Sequence, residues 1–245
     1  MAIPDTLGAR LIEACTDLKL GGRFAMLGRQ SWIGARKGRS KALLERVVAE
    51  RLPGVAVEDL ANADDRYSET FFGHLGFDTV DSIDVSDFEG ASLVQDLSKP
   101  IDASFKDRFD VIYDGGTCEH IFDLPTAYRN IDEMLAPGGV LIGHSPTNNW
   151  VNHGYFQISP ETVFGFWQNA MGYEVLDLFL QPLLPNSAHL VVRTTNPART
   201  GNRPRLKGRL TRQSPIVMCY AVRKPETRAE GTDVFQSDYV RKWEA

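Results

Sequence analysis

The chain predicts an α/β fold: a doubly wound, mostly parallel sheet with helices on both faces. Three observations carry this expectation. Val111-Ile112-Tyr113 and Val140-Leu141-Ile142 are short apolar runs rich in β-branched residues, as suits strands covered on both sides. Between them Leu124, Tyr128, Ile131 and Leu135 recur at spacings of four, three and four, which draws one apolar stripe down a crossover helix. Gly28, Asp84, Asp96 and Asp114 each follow an apolar run, and ligands of such sheets gather at the carboxyl ends of strands.

Taken in order, Asp5 to Leu18 reads as a leading helix in the segment 1–20. Leu7, Leu11, Ile12, Cys15 and Leu18 lie inward and Asp5 is placed as N-cap. Phe24 to Leu27 is the first strand, and a helix over Lys41 to Leu52 turns Leu43, Leu44, Val47 and Val48 inward until Pro53-Gly54 closes it. Residues 55–66 read as a polar insertion, and a short helix covers Ser68 to Leu75. Strands follow at Thr79 to Ile83 and Ser92 to Gln95.

The helix after Leu124 should stop at Ala136, because the residue before Pro137 avoids helical angles and Gly138-Gly139 can turn freely. Strand, crossover helix and strand then form a right-handed unit. After Pro146 the character changes. Residues 147–170 read as a polar, aromatic loop followed by a helix, with Ser159 as cap, Pro160 in the first turn, and Val163, Phe164, Phe166, Trp167 and Ala170 on it. Strands at Tyr173 to Leu180 and Pro215 to Val222 flank a basic insertion at 193–213. A polar tail at 225–245 ends in a short helix bearing Phe235, Tyr239, Val240 and Trp243.

At 245 residues, one core and a single domain over 1–245 is the simplest organisation. The composition, 42% hydrophobic and 24% charged, is that of a globular chain, and a formal net charge of -5 gives no pull toward nucleic acid or anionic membranes. No apolar run approaches the roughly 20 residues of a membrane-spanning helix. The N-terminus has no basic start followed by an apolar core, so the expected location is cytoplasmic. Cys15, Cys118 and Cys219 share no CxxC spacing, which suggests neither a disulfide framework nor a zinc site.

The ordered set of strand, Glu119-His120, helix, Leu135-x-Pro137-Gly138-Gly139, strand and Pro146, with Asp110 before it, resembles the second half of class I S-adenosylmethionine-dependent methyltransferases. The resemblance implies a Rossmann-like sheet of seven strands with an antiparallel last strand, S-adenosyl-L-methionine as cofactor and a small-molecule acceptor. It leaves room for a homo-oligomer. It also implies that Asp84, with Val85 beside it, takes the ribose hydroxyls, that Asp96 and Leu97 contact the adenine, and that Asp114 and Gly115 lie at the rim. The family's glycine-rich loop is replaced by Leu27-Gly28-Arg29-Gln30. Only Gly28 keeps its place, and Arg29 and Gln30 are expected to offer side-chain hydrogen bonds to the amino-acid end of the cofactor.

An alcohol acceptor must lose a proton, most often to histidine. His153, set among Asn149, Trp150, Asn152, Tyr155 and Gln157, is the first candidate base, and His120 the second. Asp114, Glu119 and His120 are metal-competent in type, but their spacing matches no metal motif and no metal is assigned. The leading expectation is O-methylation of a small hydroxylated metabolite or sugar. The alternative is a protein of this fold whose altered loop serves a non-methylating enzyme or a non-catalytic binding subunit.

Overall fold

A computed structural model describes residues 2–34, 38–200, 214–227 and 233–243, with the side chains of 240 and 241 outside the description. β1 (Ala2–Ile3) leads into α1 (Asp5–Asp17). Pro4, not Asp5, stands at the N-cap, and Asp5 is instead a buried first-turn acid beside the Ser40 hydroxyl. There its charge complements the helix N-terminus. β2 (Gly22–Leu27) is followed by β3 (Ser31–Trp32), which pairs in parallel with β1. α2 (Arg39–Arg51), a 3-10 turn at Val57–Leu60 inside the polar insertion, and α3 (Glu69–Gly73) then precede β4 (Phe77–Asp84) and β5 (Leu93–Val94).

β6 (Phe109–Asp114), α4 (Leu124–Met134) and β7 (Leu135–Asn148) make the expected right-handed unit. The Pro-Gly-Gly segment does not separate helix from strand as the sequence suggests. It lies within β7, which starts at Leu135, and it shifts the register with β6 while Gly138 takes φ +74°. The helix at Thr162–Ala170 is wide: Met171 N–H donates to Phe166 O and Tyr173 N–H to Trp167 O, reaching further back than an α-helix does. β8 (Glu174–Pro182), β9 (Val192–Arg193), α5 (Pro197–Thr200), β10 (Ile216–Arg223) and α6 (Ser237–Trp243) complete the described chain. Most of the basic insertion, 201–213, lies outside the described residues, as do parts of the polar tail and the Val240 side chain. No described helix is long and apolar enough to cross a membrane.

Among the described residues the main sheet has eight strands, not seven, in the order β5-β4-β2-β6-β7-β10-β8-β9. The extra one is β9, which adds to the edge at Phe179 and Leu180 of β8. β10 enters antiparallel between β7 and β8, as expected of the last strand. Alternate residues serve opposite faces. Phe24 and Met26 join the core under α1, α2 and α3, while Ala25 and Leu27 join the core under α4 and the wide helix. Cys15 and Cys219 belong to the first of these cores as small apolar groups, and Trp167 is fully buried in the second.

One buried cation ties these layers together. Lys224 Nζ donates to Asp132 O and Leu135 O, each at 2.6 Å, where α4 ends and its carbonyls lack helical partners. Hydrogen bonds from a charged donor are worth about 1.5–3 kcal/mol, so Lys224→Met should lower stability by about 2 kcal/mol. A urea titration would read this as a lower midpoint at unchanged slope. Arg46→Met, which breaks the exposed Arg46–Glu50 pair, should shift it by no more than about 0.5 kcal/mol.

Candidate functional site

The sheet order reverses between β2 and β6, so their carboxyl ends diverge into a crevice of the kind that takes ligands. Register puts Leu27 opposite Asp114, with Ile83 on the other side of Leu27 and Gly143 on the other side of Asp114. At this point Gly28 turns at φ +63°, a Cβ there standing 2.9 Å from Thr117 Oγ1. Only glycine combines that backbone with that approach. Asp114 Oδ1 accepts from the backbone N–H of Gly116, Thr117 and Cys118 at 3.2, 2.8 and 3.3 Å, and Thr117 Oγ1 donates to Leu27 O at 2.6 Å. The two strand ends are thereby stitched into one rigid rim.

Two buried acceptors on this rim have no donor among the described residues: Asp114 Oδ2 and Gln30 Oε1. Gln30 Nε2 is spent on Leu27 O at 2.8 Å and Gly28 O at 3.4 Å, so its carbonyl oxygen is the free end. A Cβ on Gly115 would lie 2.9 Å from Gln30 Cδ. Gly115 thus keeps its expected place at the rim, packed against the Gln30 amide.

Arg29 does not join them. Its guanidinium donates to Glu69 Oε1 at 2.6 Å, to Glu89 O at 2.9 Å and to Asp65 Oδ2 at 3.4 Å, and lies 3.8 Å above the Tyr67 ring. These bonds make Arg29 an anchor of the loop. That anchor, together with β3 and the Ser68 N–H bond to Gln30 O, holds a turn that the missing glycines do not shape.

Beside the rim opens a cleft of about 580 Å³. Asp84, Val85, Asp96, Leu97, Thr117 and His120 all line it. Asp84 Oδ1 accepts from the Val85 N–H at 2.7 Å, and Oδ2 comes within 3.9 Å of the position a Cβ on Gly28 would occupy. Asp96 is more committed. Its Oδ1 accepts from the Ser98 hydroxyl and N–H and its Oδ2 pairs with Lys99 at 3.0 Å, so the Ser98 hydroxyl and then Lys99 hold its carboxyl down to about 2. Phe122 and Tyr155, 76% and 67% exposed, form an edge-to-face pair at the cleft mouth with centroids 5.4 Å apart.

Behind the cleft, Glu119 meets both candidate histidines. Its Oε1 lies 3.5 Å from His153 Nε2 and 3.8 Å from His120 Nε2, and the rings are 5.1 Å apart. The loop carrying His153 is fixed here by Tyr155 and Phe156 N–H groups donating to Glu119 O. A Cβ on Gly154 would press to 2.9 Å from that oxygen. Glu119 is wholly buried, and neither of its carboxylate oxygens has a hydrogen-bond partner among the described residues. Burial, and then the charge of Asp114, push its carboxyl up to about 8, while burial moves both imidazoles down.

The sequence places Glu119 in a motif without giving it a role in the site, marks Tyr155 only as a neighbour of His153, and does not mark Thr117 or Phe122. An Asp-Gly-Gly-Thr run after a strand was the available signal for Thr117, since Asp favours such turns. His144, the other histidine near the rim, faces inward to Tyr113 Oη at 3.1 Å, and burial draws it down to about 3.

No protein-family profile and no curated protein matches this chain. Among solved structures it is similar to the N-methyltransferase NodS of Bradyrhizobium japonicum WM9 in complex with S-adenosyl-l-homocysteine. The identity is 13%, over 89% of this chain and 86% of that one, with a TM-score of 0.43. It is also similar to an S-adenosylmethionine dependent methyltransferase of Mesorhizobium loti (15%, 88% and 96%, 0.43) and to the [4+2]-cyclase SpnF (13%, 89% and 81%, 0.45). At such identities and TM-scores no activity transfers to this chain, and its chemistry has to be read from its own residues.

Proposed function

We propose that this chain is an S-adenosylmethionine-dependent methyltransferase acting on an oxygen of a small hydroxylated metabolite or sugar. The observation that carries the reading is that Asp84 and Asp96, from the ends of successive strands, line one cleft beside the β2–β6 crevice. A half-buried carboxylate with a free oxygen suits a ribose diol, because an ionised acid accepts from both hydroxyls. Leu97 gives the same cleft an apolar wall suited to an adenine.

The residues at the other end fit an amino-acid moiety. Asp114 Oδ2 and Gln30 Oε1 are acceptors without donors among the described residues, the complement of an ammonium group. When bound there, the cofactor supplies an electrophilic methyl: the acceptor oxygen bonds to that carbon while the C–S bond breaks and leaves its electron pair on sulfur. The chain's part is to hold the two partners in line, which is where much of the rate of such a displacement arises. The acceptor's proton is lost beside Glu119, His120 and His153, a cluster that reaches the cleft through His120.

Calorimetric titration with S-adenosylhomocysteine checks the reading. One equivalent should bind per chain, and absence of heat at millimolar ligand would sink it. Incubation with S-adenosylmethionine and a panel of hydroxylated acceptors should then yield a product heavier by one methylene. Binding without any such gain would favour the non-methylating alternative.

A further inference from the structure

We propose that Glu119, His120 and His153 form a binding site for one divalent transition cation, with the acceptor's oxygen as its natural further ligand. The inference deepens the methyltransferase reading and rests on it for the acceptor, though not for the ion. It replaces a lone base at His153 with three side chains acting together.

The donor set comes first. Two imidazoles and one carboxylate bring candidate ligand atoms within 4.8 Å of one another, and nitrogen–oxygen sets of this kind suit Zn²⁺, Fe²⁺ or Mn²⁺ better than Mg²⁺ or Ca²⁺. Ligand bonds of about 2.1 Å set neighbouring donors roughly 3.0–3.4 Å apart. The observed 3.5 and 3.8 Å from Glu119 Oε1 lie a few tenths of an ångström beyond that range, and because the group spans up to 4.8 Å side-chain rotation must also draw its donors together around one ion.

The second observation is independent of the grouping. Glu119 is fully buried with both oxygens unpartnered, and His153 Nε2, which faces it, is likewise buried without a hydrogen bond among the described residues. Three orphaned ligand atoms in one spot are costly unless something fills the space between them. Arg29, the cation of the neighbouring loop, is already committed to Glu69 and Asp65.

The site also opens the right way. His120 lines the cleft, as does Tyr155 two residues beyond His153, so a cation held here borders the acceptor's space. Three protein ligands leave coordination positions open. A hydroxyl at one of them ionises more readily because the cation stabilises the oxyanion; its proton passes to solvent water, and the oxygen then forms the C–O bond described above.

The test uses the full, tag-free chain after chelator treatment, titrated with MnCl₂ and followed by the loss of the free-ion paramagnetic resonance signal, and separately with ZnCl₂ by calorimetry. One equivalent should bind per chain. His153→Ala, in a partly exposed loop where folding is little at risk, and Glu119→Gln should each weaken binding by more than about 100-fold, beyond the loss that outer-shell partners cause. Wild-type protein that binds neither ion yet still binds S-adenosylhomocysteine overturns the site. So does binding that both variants retain at wild-type strength. Ion binding without S-adenosylhomocysteine binding would instead remove the parent reading and leave the cation site standing.

Discussion

Asp84→Ala is expected to weaken S-adenosylhomocysteine binding by about 100-fold while leaving the fold intact. A hydrogen bond to a charged acceptor contributes about 1.5–3 kcal/mol, and two ribose hydroxyls offer two of them. Part of that is returned by water filling the truncated site, so a net loss of about 2.7 kcal/mol, or two factors of ten, is the expected scale. Stability should not follow, because among the described residues the Asp84 side chain is hydrogen-bonded only to the adjacent Val85 N–H; a urea midpoint measured beside the calorimetry separates the two effects. Asp84→Asn keeps one acceptor and should fall between the variants. Asp96→Ala should cost less cofactor affinity than Asp84→Ala, because both Asp96 oxygens already serve Ser98 and Lys99. Wild-type affinity in Asp84→Ala would remove the ribose assignment and with it the main support for the function.

Gly143→Ala should produce the largest loss of stability among single-methyl additions near the site. Gly143 of β7 sits directly opposite Tyr220 of β10, and a Cβ on it would overlap the Tyr220 ring itself. That ring is buried in the core beneath α4 and the wide helix, so it has no solvent to retreat into. Overpacking of this kind costs about 1–3 kcal/mol, and the overlap with a rigid ring argues for the upper end. The cause can be isolated: Tyr220→Leu removes the obstructing ring, so the double variant should lose less than the two single losses added together, a coupling expected only for residues in contact. Additive losses would show that the ring is not what demands glycine. Gly143 also pairs with Asp114 across β6, so Gly143→Ala that folds at low temperature should bind S-adenosylhomocysteine more weakly than the wild type.

Much of the frame was legible in the chain because it depends on local patterns. Val111 to Tyr113 and Val140 to Ile142 are buried strands as expected, and the stripe through Tyr128 and Ile131 faces the core. Asp84 ends β4 and Asp96 follows β5 at the same cleft. Partner choice is not legible in the chain. Asp65 and Glu69, distant in sequence, converge on Arg29. Nothing in the spacing of a polar insertion and a short helix announces that they will supply its counter-charges. The two-residue β9 gave no periodicity to detect, and the wide helix at Thr162–Ala170 carries an apolar face that reads like any helix.

By itself, then, the sequence determined the doubly wound sheet and the acids and glycines at its strand ends, since alternation, helical spacing and turn chemistry act over a few residues and survive without a partner. The tertiary structure alone decided that His153 closes on Glu119, that Gln30 and Asp114 keep acceptors unpaired among the described residues at one rim, and that Arg29 is held by Glu69 and Asp65. Those outcomes depend on which distant segments share a low-dielectric space, where one contact settles whether a polar atom is satisfied, and such proximity is set by packing across the sheet rather than by neighbours along the chain.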